Sequence, residues 1–396
     1  MKALRATSHR LGGRPQELVV DVPCLWHLAY AHARHWRAPG HPVHRVHHPQ
    51  AGAAEGDPAQ APAAEEFAGP AADAPACCAH PQHRRTPAAP LAAGAAAGAR
   101  AAGRLVAAAG GAGGQFTSAA GHDRYAAAYT DALRDLPPPA ASLDLRTDFG
   151  VVRVHRFAGA NPQQPALVLL ADRARATPDW APLVGPLVRQ RTVYAVDTLG
   201  DAGMSLQSRP LESDSDAANW LYQVLGQLPG REYVLVGAGT GGWAAMNLAV
   251  RRPGPVAGLI LIDPERVFAE PPLSEGLRRW ASAEPDRPES WQRAWLEQHA
   301  GAPVRGATGR LAVAGLAEHR DRSRVGDTIP ERQLRELQLP TLALLAGGSG
   351  VQDVGTAETR ARLLPRATVR TLPDAPHDLL HTRTPEVLSE VTASLR

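Results

Sequence analysis

The chain has 396 residues, with 42 Lys and Arg against 39 Asp and Glu and a formal charge of +3. So even a balance, with no Lys/Arg stripe interleaved with aromatics, speaks against a nucleic-acid surface. No run of about 20 apolar residues occurs, which speaks against a membrane-spanning helix. The three cysteines, Cys24, Cys77 and Cys78, leave everything beyond them without a disulfide framework; cytoplasmic is the default expectation for the compartment.

Residues 1–115 are dominated by Ala, Gly, Pro, Arg and His and hold ten of the sixteen histidines. Such a composition supplies too little apolar area to offset the entropy of ordering the chain. The segment is therefore expected to be disordered, or to be a misassigned extension upstream of the natural start. An apolar patch over residues 18–22 and 25–30 has no partner segments. The run His41, His44, His47 and His48 lacks the paired Cys/His spacing of a zinc site, so any metal affinity there is expected to be adventitious. The polar opening over residues 1–16 is too long for the n-region of a signal peptide.

From residue 116 the texture changes. Tyr125, Tyr129, Leu133 and Leu136 stand at helical spacing within residues 122–136, and Pro137-Pro138-Pro139 ends the helix. Strands are predicted at residues 142–146, 151–157, 166–171, 192–196, 233–236, 256–262, 341–345 and 367–372. From the third onward most of these are apolar throughout and do not alternate, as strands buried on both faces should be. Helices are predicted at residues 179–189, 214–228, 240–251, 356–364 and 385–395, the last with Thr384 as N-cap and Pro385 in the first helical position. This alternation implies an α/β fold, a mostly parallel central sheet with helices on both faces. Nearly eighty residues separate the strand ending at Ile262 from the next, too many for an ordinary connection. Residues 265–338 are read as a small helical lid over the C-terminal edge of the sheet, with Trp280, Trp291 and Trp295 packing it down.

The stretch Tyr233-Val-Leu-Val-Gly237-Ala238-Gly239-Thr240-Gly241-Gly242-Trp243 is a strand, a glycine-rich sharp turn and a helix start. It resembles the nucleophile elbow, Gly-x-Ser-x-Gly, of the α/β-hydrolase family. The segments around Asp197-Thr-Leu-Gly200 and around Leu259-Ile-Leu-Ile-Asp263-Pro264 look like that family's loops after its fourth and sixth strands. Asp353 and His377 stand where the family keeps its acid and base, in the family's chain order. The resemblance covers residues 116–396 and implies descent from serine hydrolases of esters, amides or related apolar small molecules, with no metal or organic cofactor.

Two departures accompany it. Gly237, Gly241, Gly242 and Trp243 set a register in which Gly239 occupies the nucleophile position, and glycine has nothing to attack with. Where the family carries His-Gly after its third strand, this chain has Ala171-Asp172-Arg173, and a carboxylate there opposes an oxyanion. Conventional hydrolysis is therefore expected to be lost, leaving a degenerate triad. The alternatives are an active hydrolase using Thr240, with His377 as its base, a His377–Asp353 dyad enzyme of the lyase or cofactor-independent kind, and a non-catalytic binder of an apolar small molecule. Asp263 is read as a turn residue before Pro264 and as the fallback acid behind Asp353, Ser205 as a loop residue, and Asp378 and His381 as a local polar cluster beside His377.

Overall fold

The computed structural model describes residues 114–396; the expectations for residues 1–113 lie outside the described residues. Among these, eight strands form a continuous path in the order β11-β10-β8-β7-β4-β5-β3-β2. They are β2 (Ala141–Thr147), β3 (Gly150–Phe157), β4 (Ala166–Leu170), β5 (Val193–Val196), β7 (Tyr233–Ala238), β8 (Val256–Ile262), β10 (Thr341–Ala346) and β11 (Ala367–Leu372). The strands β11 through β5 run parallel, while β3 turns antiparallel to both β5 and β2. The short β6 (Leu206–Gln207) pairs beside Gly150 and Val151 of β3.

The uniform apolarity of the central strands has a direct structural reading. In β4, Val168 and Leu170 join one core with Trp220 and Trp243, while Leu167 and Leu169 join the opposite core with Trp180 and Leu183. Successive side chains point to opposite faces, so a strand covered on both sides has no position left for a polar residue. Helices supply the cover. Asp214–Gln227 begins with a capping box in which Ser213 accepts from the Asp216 N–H and the Asp216 carboxylate returns to the Ser213 N–H. At the C-terminal helix, Thr384–Ser394, the predicted cap is displaced. Thr384 is already helical, and its hydroxyl donates backward to the carbonyl of Leu380 at 2.5 Å.

Between β8 and β10 lie the helices Leu273–Ser282, Glu289–Ala300 and Gly306–Glu318. Trp295 packs with Leu296, Ala300, Val313 and Leu316 into a small core of their own. Trp280 and Trp291, expected to pack inward, are instead 68% and 54% exposed. A second connection is absent from the sequence reading. β9 (His319–Arg320) pairs antiparallel with β1 (Gln115–Phe116), and Arg124 of the helix Ala119–Ala132 donates to Glu318 at 2.6 Å. The start of the described chain is thus bound to the insertion just after its helix Gly306–Glu318.

Candidate active site

β7 ends at Ala238 and the helix Thr240–Arg251 begins two residues later, so Gly239 alone makes the reversal. Its φ of 50° and ψ of −120° lie where a residue bearing a Cβ is held at a cost of about 1–3 kcal/mol. Gly237 is needed for a different reason: a Cβ there would run into the backbone of Gly241, so the helix could not start so close to its strand.

The space in front of Gly239 belongs to Asp172, two residues beyond the end of β4. A Cβ built on Gly239 would fall on the Asp172 carboxylate, and even the farther oxygen, Oδ2, lies only 2.7 Å away. Oδ1 accepts from the backbone N–H of Thr240 at 2.9 Å and from its hydroxyl at 3.2 Å. That N–H belongs to the residue after the elbow, where this family aims an oxyanion-hole donor. Here it is engaged by a carboxylate of the same chain. The Thr240 hydroxyl is turned to Asp172 as well, not to His377.

His377 is reached from the loop after β11, and its carboxylate partner is Asp263. The imidazole Nδ1 donates to Asp263 Oδ2 at 2.6 Å. Asp263 sits at the exit of β8 with φ 38°, fully buried. It also accepts from the Ala346 N–H, the Gln352 amide and the Ser349 hydroxyl at 3.0, 2.7 and 2.7 Å. Asp353, the expected acid, does not meet His377. It caps the helix Val354–Ala361 by accepting from the Thr356 N–H at 2.8 Å, and solvent surrounds it. Residues 349–353 run away from the sheet edge into that helix, which carries Asp353 outward while Ser349 and Gln352 turn in to Asp263.

Nε2 of His377 faces Asp172 Oδ2 at 3.2 Å and Glu265 Oε1 at 3.7 Å. A second imidazole converges on the same place. Nε2 of His299, near the end of the helix Glu289–Ala300, lies 3.1 Å from Glu265 Oε1 and 3.4 Å from Asp172 Oδ2. Its Nδ1 donates to Glu275 Oε1 at 3.0 Å, and Trp295 stacks on its ring at 4.8 Å while also donating to Glu275. Burial works against the charge on both imidazoles. Against it, hydrogen bonds to Asp172 and Asp263 and their negative charge raise His377 to about 10, and the charge of Glu265 with the nearby Asp172 and Glu275 raises His299 well above its ordinary value. Burial likewise opposes ionisation of Asp172 and Glu275, yet the imidazoles hold Asp172 well below the carboxylate range, and His299 with Arg278 brings Glu275 to about 2.

The opening above Gly239 is narrow and mixed in character, with Ala238, Ile262, Leu296, Ala300, Leu379 and Leu380 beside the charged groups. Its lining includes Asp172, Arg173, Arg175, Asp179, His299 and His377, with room for little more than a water-sized group. Asp378 and His381 form the cluster expected of them, 2.8 Å apart, with Arg175 3.7 Å from Asp378 and bonded to Asp179 at 2.9 Å. Ser205 has the loop role read for it, donating to the carbonyl of Asp197 at 2.6 Å and accepting from the Arg153 N–H. Glu265, His299 and Glu275 carried no sequence signal as a set, because they come from a turn and two helices of an insertion whose folding only the structure shows. The polar Glu265 directly after Asp263-Pro264 was the one local clue.

The family model described as the alpha/beta hydrolase family matches residues 176–391, more than half of the chain. Carboxylesterase YbfK of Bacillus subtilis is 29% identical over 154 residues, 39% of this chain and 51% of that protein. The uncharacterized carboxylesterase nap of the same organism is 29% identical over 145 residues, 37% and 48% respectively. The chain thus matches about half the length of these two relatives. Among solved structures, carboxylesterase CesB (YbfK) from Bacillus subtilis superposes with a TM-score of 0.64 at 22% identity, covering 69% of this chain and 97% of that one. Naproxen esterase from the same organism gives 0.64 at 22%, covering 70% and 98%. At that identity the likeness is one of fold.

Proposed function

The chain belongs to the alpha/beta hydrolase family, and we propose that it is a member without covalent serine catalysis, its triad degenerate and its site given over to a non-covalent role. One observation carries this reading: the Asp172 carboxylate fills the space a nucleophile at position 239 would need and takes the Thr240 N–H. A carboxylate in that place repels the oxyanion that acyl transfer must stabilise. The insertion acts as a lid in this reading, since it delivers His299 to the site. The occupant is a small group, because the opening is narrow, and its wall offers Arg173, Arg175 and Asp179 together with Leu296, Leu379 and Leu380. The names of the relatives place them among esterases; this chain keeps their framework and not their nucleophile.

Fluorophosphonate labelling of the full chain, read by intact mass, tests the reading. The parent is expected to remain unlabelled, and so is Gly239→Ser, because the new Cβ collides with Asp172. The double variant Gly239→Ser/Asp172→Gly should gain one adduct. An adduct on the parent that disappears in Thr240→Ala would overturn the proposal and make the protein a threonine-dependent hydrolase.

A further inference from the structure

We propose that Asp172, Glu265, His299 and His377 form a binding site for one divalent transition-metal ion, Zn2+ foremost. The inference deepens the preceding reading and rests on it, because the ion would sit beside the carboxylate that displaces a nucleophile.

One ligand atom from each of the four residues lies within 4.8 Å of every other. Four of the six separations are 3.1, 3.2, 3.4 and 3.7 Å: His299 to Glu265, His377 to Asp172, His299 to Asp172 and His377 to Glu265. Zinc bonds of about 2.0–2.2 Å in a tetrahedron put neighbouring ligand atoms about 3.3–3.6 Å apart. The quartet therefore surrounds a point at bonding distance with small adjustments.

Two further observations point to an ion over a network of ion pairs. Glu265 Oε1 and His299 Nε2 are buried without a hydrogen-bond partner; they approach to 3.1 Å, but out of line for a hydrogen bond. Their residues are only 7% and 6% exposed, so desolvation is paid with no alignment gained. The outward-facing nitrogens are also both tied back: His377 Nδ1 to Asp263 at 2.6 Å and His299 Nδ1 to Glu275 at 3.0 Å. A carboxylate behind each imidazole fixes its ring and directs Nε2 at the ion, the arrangement typical of metal-bound histidines. Two imidazole nitrogens favour zinc or a neighbouring transition metal over Mg2+ or Ca2+, which take oxygen ligands. Asp172 and His377 come from loops at the C-terminal edge of the sheet, Glu265 from the turn that opens the insertion and His299 from one of its helices, so the ion would clamp the insertion to the sheet.

The test is a titration of the chelator-treated full chain with Zn2+ by calorimetry, with Mg2+ in parallel and the thermal midpoint followed by circular dichroism. Because His41, His44, His47 and His48 could bind zinc independently, the same titration is run on a variant with all four changed to Ala. One tight equivalent is expected in both proteins, raising the midpoint, and Mg2+ should do neither. Glu265→Gln and His299→Ala should each weaken that equivalent by about 100-fold or more, and the positioning variant Glu275→Gln by about 10–100-fold. Circular dichroism confirms that the variants fold, and Glu265→Gln preserves size should His299→Ala fail. If Zn2+ affinity is unchanged by Glu265→Gln, vanishes with the four N-terminal histidines, or is absent, the quartet is an ion-pair network and the proposal falls. Fluorophosphonate labelling is read separately, so a failed metal site leaves the loss of serine chemistry standing or falling on its own.

Discussion

At the scale of single residues, the structure turns on which aspartate serves His377. Asp263 is fully buried and accepts four hydrogen bonds, including the 2.6 Å bond from the imidazole. Asp263→Asn replaces one acceptor oxygen with a donor that must face the Ala346 N–H, the Gln352 amide, the Ser349 hydroxyl or His377. Breaking a buried charged pair from one side costs about 3–5 kcal/mol, and urea denaturation should show a loss of that order. Asp353→Ala should cost only what one exposed N-cap contributes, and a loss as large as that of Asp263→Asn would contradict the pairing seen here. The sequence made Gly239 and His377 legible because each lies in a local pattern, a glycine-rich turn and a loop after a strand. It put Asp353 ahead of Asp263, and the structure reverses that order; both follow strands at the same sheet edge. The choice depends on where Ser349 and Gln352 turn, a three-dimensional fact with no periodic trace.

Among the elements, the strands were the most legible. Those buried on both faces read as aliphatic runs, and 256–262 matches in both bounds; so does 367–372, an edge strand whose Thr368 and Arg370 alternate outward. The insertion was legible as an element that exists, by its length, but not by its faces. Three tryptophans at irregular spacing gave no hint that two would face water. The consequence is measurable. Trp295 is 2% exposed, stacks on His299 and donates to Glu275 at 3.1 Å. Trp295→Ala should cost about 3–5 kcal/mol in chemical denaturation, as for truncation of a buried large aromatic. Trp280→Ala, at a mostly exposed side chain with Arg287 over its ring, should stay within about 0.5 kcal/mol, the usual range for surface substitutions. A substantial loss for Trp280→Ala would mean that this helix is covered in the protein in solution.

For the described chain as a whole, stability should depend on pH through the strand pair that ties its first residues to the segment between β8 and β10. His319 of β9 is 5% exposed, packs edge-on against Phe116 of β1 at 5.0 Å, and buries an Nδ1 with no hydrogen-bond partner. Burial lowers it to about 4, with the negative charge of Asp321 opposing only partly. In the unfolded chain an imidazole titrates near about 6.5. Between those values the unfolded chain binds the extra proton, so this contribution is complete above about pH 6.5 and is lost as the pH falls toward 4, by at most about 3 kcal/mol. Asp201 acts in the opposite sense. Burial, helped by the charge of Asp321, pushes it up to about 7, so the folded chain holds a proton that the unfolded chain has released. Its contribution favours the folded state at low pH and declines as the pH rises from about 4 to 7. The two slopes partly cancel in the parent. His319→Gln removes one of them, and the difference in unfolding free energy between parent and variant cancels the titrating groups that do not interact with His319, Asp201 included. That difference, measured by urea denaturation from pH 4.5 to 7.5, should rise with pH up to about 6.5 and then level off. A flat difference would show that the imidazole is hydrated or paired, and that the β1–β9 closure is open in solution.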